Sequence, residues 1–366
     1  MNASRVLVVG AGIAGLALAR ALCQRGIIAE VVERATDWQP SGTGLYLPAN
    51  AVRALHELGI GPAATAHANP IGRQRLLNHR GRLLANIDLD RIWDGVGGCV
   101  AIQRAALHES LRQATAEVPV RLGTSVTDLE IGGAPQVTFS DGSTGSYDLV
   151  VGADGVHSTI RNLALGGPPA TYVGQASWRF VADGFSDITD WTVMLGRGRT
   201  FLTVSLGQGV VYCYADLNTN DPATAASEDW RRAFAGFAAP VPLLLDQATE
   251  AYFAPIEEMV APAWTARRVV LIGDAAHASS PNMAQGAAMA LEDALVLAEM
   301  LTADQPVEQA LAGYVQRREA RVTWVQEQTH RRDRTRNLPT TLRNLTLRLA
   351  AERIFRSNYG PLRDLP

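Results

Sequence analysis

RVLVVGAGIAGLALARALCQRGIIAEVVER, residues 5–34, is the most informative stretch of the chain. Val6 to Val9 form an apolar run that leads straight into Gly10-Ala11-Gly12-Ile13-Ala14-Gly15. A helical apolar pattern follows in Leu16, Leu18, Ala19 and Leu22, and Gly26 stops it. A second apolar run, residues 27–32, ends at Glu33 and Arg34. This order predicts strand, glycine-rich turn, helix, strand and acid. Gly10 permits the tight turn, Gly12 lets a pyrophosphate reach the Gly12-Ile13-Ala14 backbone, and Gly15 lets helix and strand pack closely. The helix N-terminus offers free N–H groups and a positive dipole end to phosphate. Glu33, 21 residues beyond Gly12, is placed to accept from a ribose diol. The stretch therefore predicts a dinucleotide-binding βαβ unit.

The bulk numbers set limits. A length of 366 residues suggests about two domains. The 47% hydrophobic content supports sizeable cores, and a net charge of −3 supplies no field for nucleic acid. All 33 basic residues are arginine, so Schiff-base and other lysine chemistry is excluded. Cys23, Cys99 and Cys213 are far apart, with no CxxC or Cys/His cluster, so neither a disulfide framework nor a metal site is expected. Only Arg5 precedes the first apolar run, and fingerprint glycines interrupt it, which argues against a signal peptide. No run reaches membrane-span length. These features predict a cytoplasmic chain without stable membrane insertion, a monomer or homodimer acting on a small molecule.

Further along, residues 36–50 read as a long loop, with Asn50 as N-cap of a helix that Gly59 closes. Residues 75–89 read as a hairpin turning at 79–82, and residues 101–116 as an amphipathic helix. From 173 to 252 the pattern alternates, as in antiparallel strands, with one helix expected at 227–237. At Arg268 the buried-strand style returns, followed by a helix from Gly286 and another from Pro306 to about Arg332. The expected fold is α/β. A Rossmann-like dinucleotide domain is discontinuous (1–72, 99–170, 264–332), with a hairpin (73–98) and a mainly antiparallel β-sheet domain (171–263) inserted, and a basic C-terminal helix (333–366) at the end. Residues 330–366 hold nine arginines against three acids, a net +6 against −9 for the rest. Leu342, Leu345, Leu349 and Phe355 give that segment a helical apolar stripe. It reads either as a helix packing on an acidic body or as a basic helix at a membrane surface.

Three separated motifs carry a resemblance. They are GAGIAG with Glu33-Arg34, DLVVGADGVHSTIR at 148–161, and GDAAHASSP at 273–281 running into Gln285-Gly286 and Glu292-Asp293-Ala294. In this order the chain resembles flavin-dependent aromatic monooxygenases of the p-hydroxybenzoate hydroxylase type over nearly its whole length. The segment PANAVRALHELG at 48–59 is similar to the salicylate and urate hydroxylase branch.

The resemblance implies non-covalent FAD, with NAD(P)H as a transient reductant. It places Asp154 and Gly155 at the FAD phosphates and the nicotinamide region, with Arg161 holding their turn. Val126 would meet adenine, Arg104 the FAD, Gly44 and Tyr46 the ring border, and Pro281 the edge of the ring where a flavin C4a-hydroperoxide forms. Beside it, Gly273-Asp274 reads as a strand-end acid for ribityl hydroxyls. Gly286-Ala287-Ala288 reads as a helix N-terminus for the flavin's pyrimidine end. His277 sits in the third motif but is not expected to act as a base.

The implied reaction inserts one oxygen atom of O₂ into an aromatic or polyketide-like small molecule. Epoxidation and Baeyer–Villiger oxidation remain open as alternatives, as does a flavoprotein that does not oxygenate. Lysine-dependent halogenation does not, since there is no lysine. Candidate substrate residues are Tyr46, Trp178, Arg179, Phe201, Tyr212, Tyr214, Asn282 and Met283. No general base is evident, and no catalytic residue is assigned beyond Arg104 and the position of Pro281.

Overall fold

The computed structural model describes residues 5–38 and 43–366. Its first sheet runs in the order Thr265–Ala266, Val269–Leu271, Leu149–Gly152, Val6–Val9, Ala29–Val32, Val120–Arg121. All neighbours are parallel except the first pair. The three central strands are buried along their whole length. That burial is why they read as unbroken apolar runs. Helices Ile13–Cys23 and Gly286–Thr302 pack on each other and on this sheet. The chain reaches the sheet's strands from three distant segments, so the dinucleotide layer is discontinuous.

A seven-stranded sheet forms the second layer, in the order Tyr252–Glu258, Thr171–Ala182, Val210–Asn218, Arg199–Gly207, Trp191–Leu195, Arg73–Asn78, Leu83–Asp88. Every pairing is antiparallel except Trp191–Leu195 with Arg73–Asn78. The hairpin and the β-rich middle of the chain therefore belong to one sheet. Its register sets Arg179 beside Tyr214, Tyr214 beside Leu202, Leu202 beside Val193, and Trp191 beside Gln74. Neighbouring residues share a face and alternate residues along each strand do too. One face thus carries Arg179, Tyr212, Tyr214, Leu202, Trp191 and Gln74, and joins the main core. The other carries Phe180, Phe201, Cys213 and Met194, which form a second core with Phe234, Phe237 and Leu244.

Several local expectations are corrected. The single helix at 227–237 is three short pieces, Pro222–Ser227, Trp230–Phe234 and Val241–Asp246. Asp221 caps the first and the prolines interrupt the pattern. Asn50 is not an N-cap; the helix is Ala49–Glu57, and Asn50 lies inside it, fully buried. Of the expected loop at 36–50, residues 39–42 lie outside the described residues, and Gly44–Leu47 is a strand. The amphipathic segment begins as a strand, Val100–Gln103, before the helix Arg104–Ala114.

At the C-terminus, helix Val307–Thr335 runs through the expected boundary at 333, and Thr340–Tyr359 follows it. Of the four stripe residues only Phe355 is buried; Leu342, Leu345 and Leu349 face outward. The helix packs instead through Arg343, Ala351, Phe355, Asn358 and Tyr359. Among the described residues no helix is long and apolar enough to cross a membrane.

Candidate functional site

The three glycine-rich turns meet at one place. Gly10 has a φ of +105°, and a side-chain carbon on it would lie 2.5 Å from Ala153 O. The first turn thus rests directly on the second, at Asp154. A side-chain carbon on Gly15 would lie 1.9 Å from Gly10 O, so only glycine lets the helix start this close to the turn. Gly273 makes the third contact: its missing side chain leaves room for Ala14 Cβ, 3.0 Å from where a Cβ would stand. Arg161 locks the second turn to the third. It is buried, and donates from Nη1 to Ala275 O and from Nη2 to Val156 O, both at 2.8 Å.

Around that junction the backbone is open. Nothing lies within 4 Å of where a Cβ would stand on Gly12, Gly155 or Gly286. Helix Gly286–Thr302 has no side-chain cap, so the N–H groups of Gly286, Ala287 and Ala288 stand free of one. Asp274 is exposed and has no hydrogen-bond partner among the described residues. Glu33 spans the other end, accepting from Ala11 N–H at 2.8 Å and Ala35 N–H at 3.0 Å. Arg34 beside it is exposed. Thr124 N–H donates to Glu33 O at 2.9 Å, two residues before the buried Val126. Asp154 uses its carboxylate to cap helix Thr159–Leu165, accepting from Ser158 Oγ–H and from Thr159 N–H at 2.7 Å. Burial raises its pKa while these donors pull the other way. The Asp154-Gly155 turn therefore presents backbone outward.

Arg104 opens its helix with an exposed guanidinium, and its N–H donates to Thr43 O at 2.8 Å, next to Gly44. One turn on, His108 Nε2 donates to Ala11 O at 2.8 Å, which puts this helix face against the first turn. His108 carried no sequence signal. The whole set fits FAD: an open N–H edge for a diphosphate, carboxylates at two ends for sugar and ribityl hydroxyls, and an uncapped helix start.

Next to Gly44 the seven-stranded sheet closes in. A Cβ on Gly44 would meet the Tyr212 side chain at 2.5 Å. Tyr46 packs on Trp191 with ring centroids 4.2 Å apart. Arg179 lies over the Tyr214 ring at 5.7 Å. Trp178 and Phe201, expected at the substrate, are not brought here. Trp178 stacks on Trp230 at 5.2 Å, and Phe201 packs on Phe234 at 5.7 Å, both on the far face. Each is one residue out of phase with the set that faces the main core. Pro281 is exposed. Asn282 donates to Asp333 and Ser280, and its carbonyl accepts from Arg332 Nη1 at 2.7 Å. Met283 is buried, with its carbonyl accepting from Tyr359 O–H at 3.0 Å. The C-terminal helices thus fix the loop that carries Pro281, a role not legible in their sequence.

Behind the third turn lies a buried charge network. Asp293 accepts from Gly273 N–H at 2.9 Å, from His277 Nε2–H at 2.6 Å and from Arg318 Nε–H at 2.8 Å. Glu292 accepts from Arg318, Arg321 and Asn50, and Asn50 also donates to Gln285 at 3.0 Å. His277 is thereby a buried partner of Asp293, engaged on the protein side of the turn. Among the described residues no group of His, Cys, Asp and Glu could hold a metal ion.

A family model described as FAD binding domain matches residues 3–329. The chain is 34% identical over 335 residues to the 2-heptyl-3-hydroxy-4(1H)-quinolone synthase of Pseudomonas aeruginosa, covering 88% of this chain and 87% of that one. It is 34% identical over 327 residues to the aurachin C monooxygenase/isomerase of Stigmatella aurantiaca, covering 84% and 83%. Klebsiella pneumoniae HpxO complexed with FAD and uric acid superposes with a TM-score of 0.88 at 27% identity, over 98% of this chain and 96% of that one. The chain belongs to the FAD-binding domain family and is a flavin-dependent aromatic monooxygenase with FAD-dependent urate hydroxylases among its relatives.

Proposed function

We propose that the protein hydroxylates an electron-rich aromatic or heteroaromatic ring bearing a carbonyl or phenol oxygen, held against the core-facing side of the seven-stranded sheet. One observation carries this. Gln74, Gln175, Arg179, Trp191 and Tyr214 each keep a buried polar side-chain atom without a partner, and all five lie on that one face. A buried polar group left unpaired costs about 1–3 kcal/mol. Five on one face support a surface completed by a polar ligand. Burial pushes the Tyr214 phenol far above its ordinary value, so it stays protonated and donates. Arg179 and Trp191 add N–H donors, and the two carboxamides add acceptors. The quinolone and urate of the relatives' names are nitrogen heteroaromatics with ring carbonyls, which supports the class.

Bound FAD would take electrons from NAD(P)H, activate O₂ and transfer one oxygen atom to the ring. For binding it, we assign the backbone of Gly10, Gly12, Ile13, Ala14, Gly15, Asp154 and Gly155 to the diphosphate. Glu33, Arg34 and Val126 take the adenosine end, and Gly273-Asp274 the ribityl chain. Arg104, Gly44, Pro281 and the Gly286-Ala287-Ala288 N–H groups border the ring. The aromatic wall of Tyr46, Trp191 and Tyr212 excludes water and holds the substrate plane.

The test is a panel of quinolones, purines and phenols, read by substrate-stimulated NAD(P)H oxidation and product mass. A gain of one oxygen on the ring supports the assignment. NAD(P)H oxidation that no aromatic stimulates contradicts it, and an epoxide or ring-expanded product would replace hydroxylation.

A further inference from the structure

Helix Thr340–Tyr359 turns three leucines away from the protein. Leu342, Leu345 and Leu349 are 52%, 54% and 78% exposed, and their spacing of three and four residues puts them on one face. Arg348 and Arg353 flank them, exposed and without an acidic partner among the described residues. The surface continues onto the neighbouring hairpin. Leu195 O accepts both from Arg343 Nη2 at 3.3 Å and from His79 N–H at 3.0 Å, so the turn after His79 abuts the start of this helix. That side of the hairpin adds Leu83, 48% exposed, and the exposed Arg80 and Arg82, which have no acidic partner among the described residues. Between hairpin and helix runs an open groove of about 500 Å³, lined in part by Leu347, Leu349, Arg348, Arg353 and Arg356, with its one acid, Glu352, paired to Arg356 and Arg91.

Four outward leucines rimmed by four arginines without an acidic partner among the described residues are unusual on a chain whose net charge is −3. A contiguous apolar patch with a polar rim marks an interaction surface. A second copy meeting this face about a two-fold axis would set arginine against arginine. An anionic bilayer surface satisfies both halves: the leucines enter the boundary between headgroups and acyl chains, and the guanidiniums meet lipid phosphates. We propose that this face docks the enzyme reversibly on an anionic membrane surface, with the Thr340–Tyr359 helix lying in its plane. The proposal is independent of the substrate assignment.

The experiment is flotation of the full-length FAD-loaded protein with phosphatidylcholine vesicles, with and without phosphatidylglycerol. The expected result is binding to the anionic vesicles only, lost at high salt. The pair Leu345→Ser, Leu349→Ser should bind at least about tenfold more weakly. Arg348→Gln with Arg353→Gln should abolish the preference for anionic lipid. Neither pair touches the flavin site or the sheet face, so flavin content and NAD(P)H oxidation should match the unaltered protein, which shows that the variants fold. Failure to bind anionic vesicles, equal binding to neutral ones, or unchanged binding by the leucine pair would overturn the proposal. So would a dimer in solution that the leucine pair converts to monomer, since the occupant would then be a second copy.

Discussion

Asp293 accepts the backbone N–H of Gly273 at 2.9 Å, so a fully buried acid sets the turn that presents Asp274. The same carboxylate pairs with Arg318, itself completely buried. Asp293→Ala should therefore destabilise the protein by about 3–5 kcal/mol, because it takes one of two carboxylates from the buried Arg318 guanidinium and leaves the buried Gly273 N–H and His277 without their acceptor. Urea unfolding measures this, and FAD affinity should fall with it. A loss under about 1 kcal/mol would mean the network is not what holds the turn.

Acid stability follows from the same group. Burial alone would raise the Asp293 carboxyl, yet His277 and Arg318 hold it at about 2. In the unfolded chain it titrates near 3.9. The folded value is the lower one, so the stabilisation is complete above the unfolded value and is lost as pH falls from about 4 towards 2. The amount is on the order of 2 kcal/mol. Urea midpoints taken down this range should converge for the unaltered protein and Asp293→Asn. A gap that stays constant with pH would contradict the assignment.

The two fingerprint glycines should separate. Gly12 faces open space, so Gly12→Ala should change the stability of the apoprotein by no more than about 0.5 kcal/mol. It should still weaken FAD binding, because the added methyl group occupies the phosphate edge. Gly15→Ala collides with Gly10 O and should cost both fold and flavin. Thermal melts with and without FAD distinguish the two outcomes.

The two faces of the seven-stranded sheet should also separate. Tyr214→Phe removes an unpartnered buried hydroxyl, so stability should hold or rise while KM for substrate increases and more NAD(P)H is oxidised without product. Phe201→Ala empties the far core and should cost about 3–5 kcal/mol with the substrate KM unchanged. Steady-state kinetics paired with unfolding curves test both.

The turns were legible because each needs glycine in a fixed order between apolar runs, a demand visible in residues 5–34 alone. The core-facing side of the seven-stranded sheet, where we propose the substrate binds, was half legible. Tyr212 and Tyr214 stand on it, whereas Trp178 and Phe201 do not. Both faces of that sheet are largely buried, so alternation gives two sets without saying which meets the cofactor domain. Trp191 was passed over for the same reason, although it packs on Tyr46. Asn50 looked like a cap because nothing local distinguishes a capping amide from one reaching Glu292, 242 residues away. The Leu342 stripe left two readings open, because helical periodicity shows that a face is apolar, not whether anything covers it; three of its four residues face outward.

The most direct test of the convergence of three turns on one flavin dinucleotide is an equilibrium titration of the apoprotein with FAD, followed by flavin fluorescence. It is run on the unaltered chain and on Asp274→Ala. The account predicts a yellow complex with one FAD per chain, and at least about tenfold weaker binding by Asp274→Ala. The unfolding midpoint of the apo form should be the same for both proteins, because Asp274 is exposed and has no hydrogen-bond partner among the described residues. A protein that takes up no FAD, or an Asp274→Ala variant that holds it as tightly, would contradict the account.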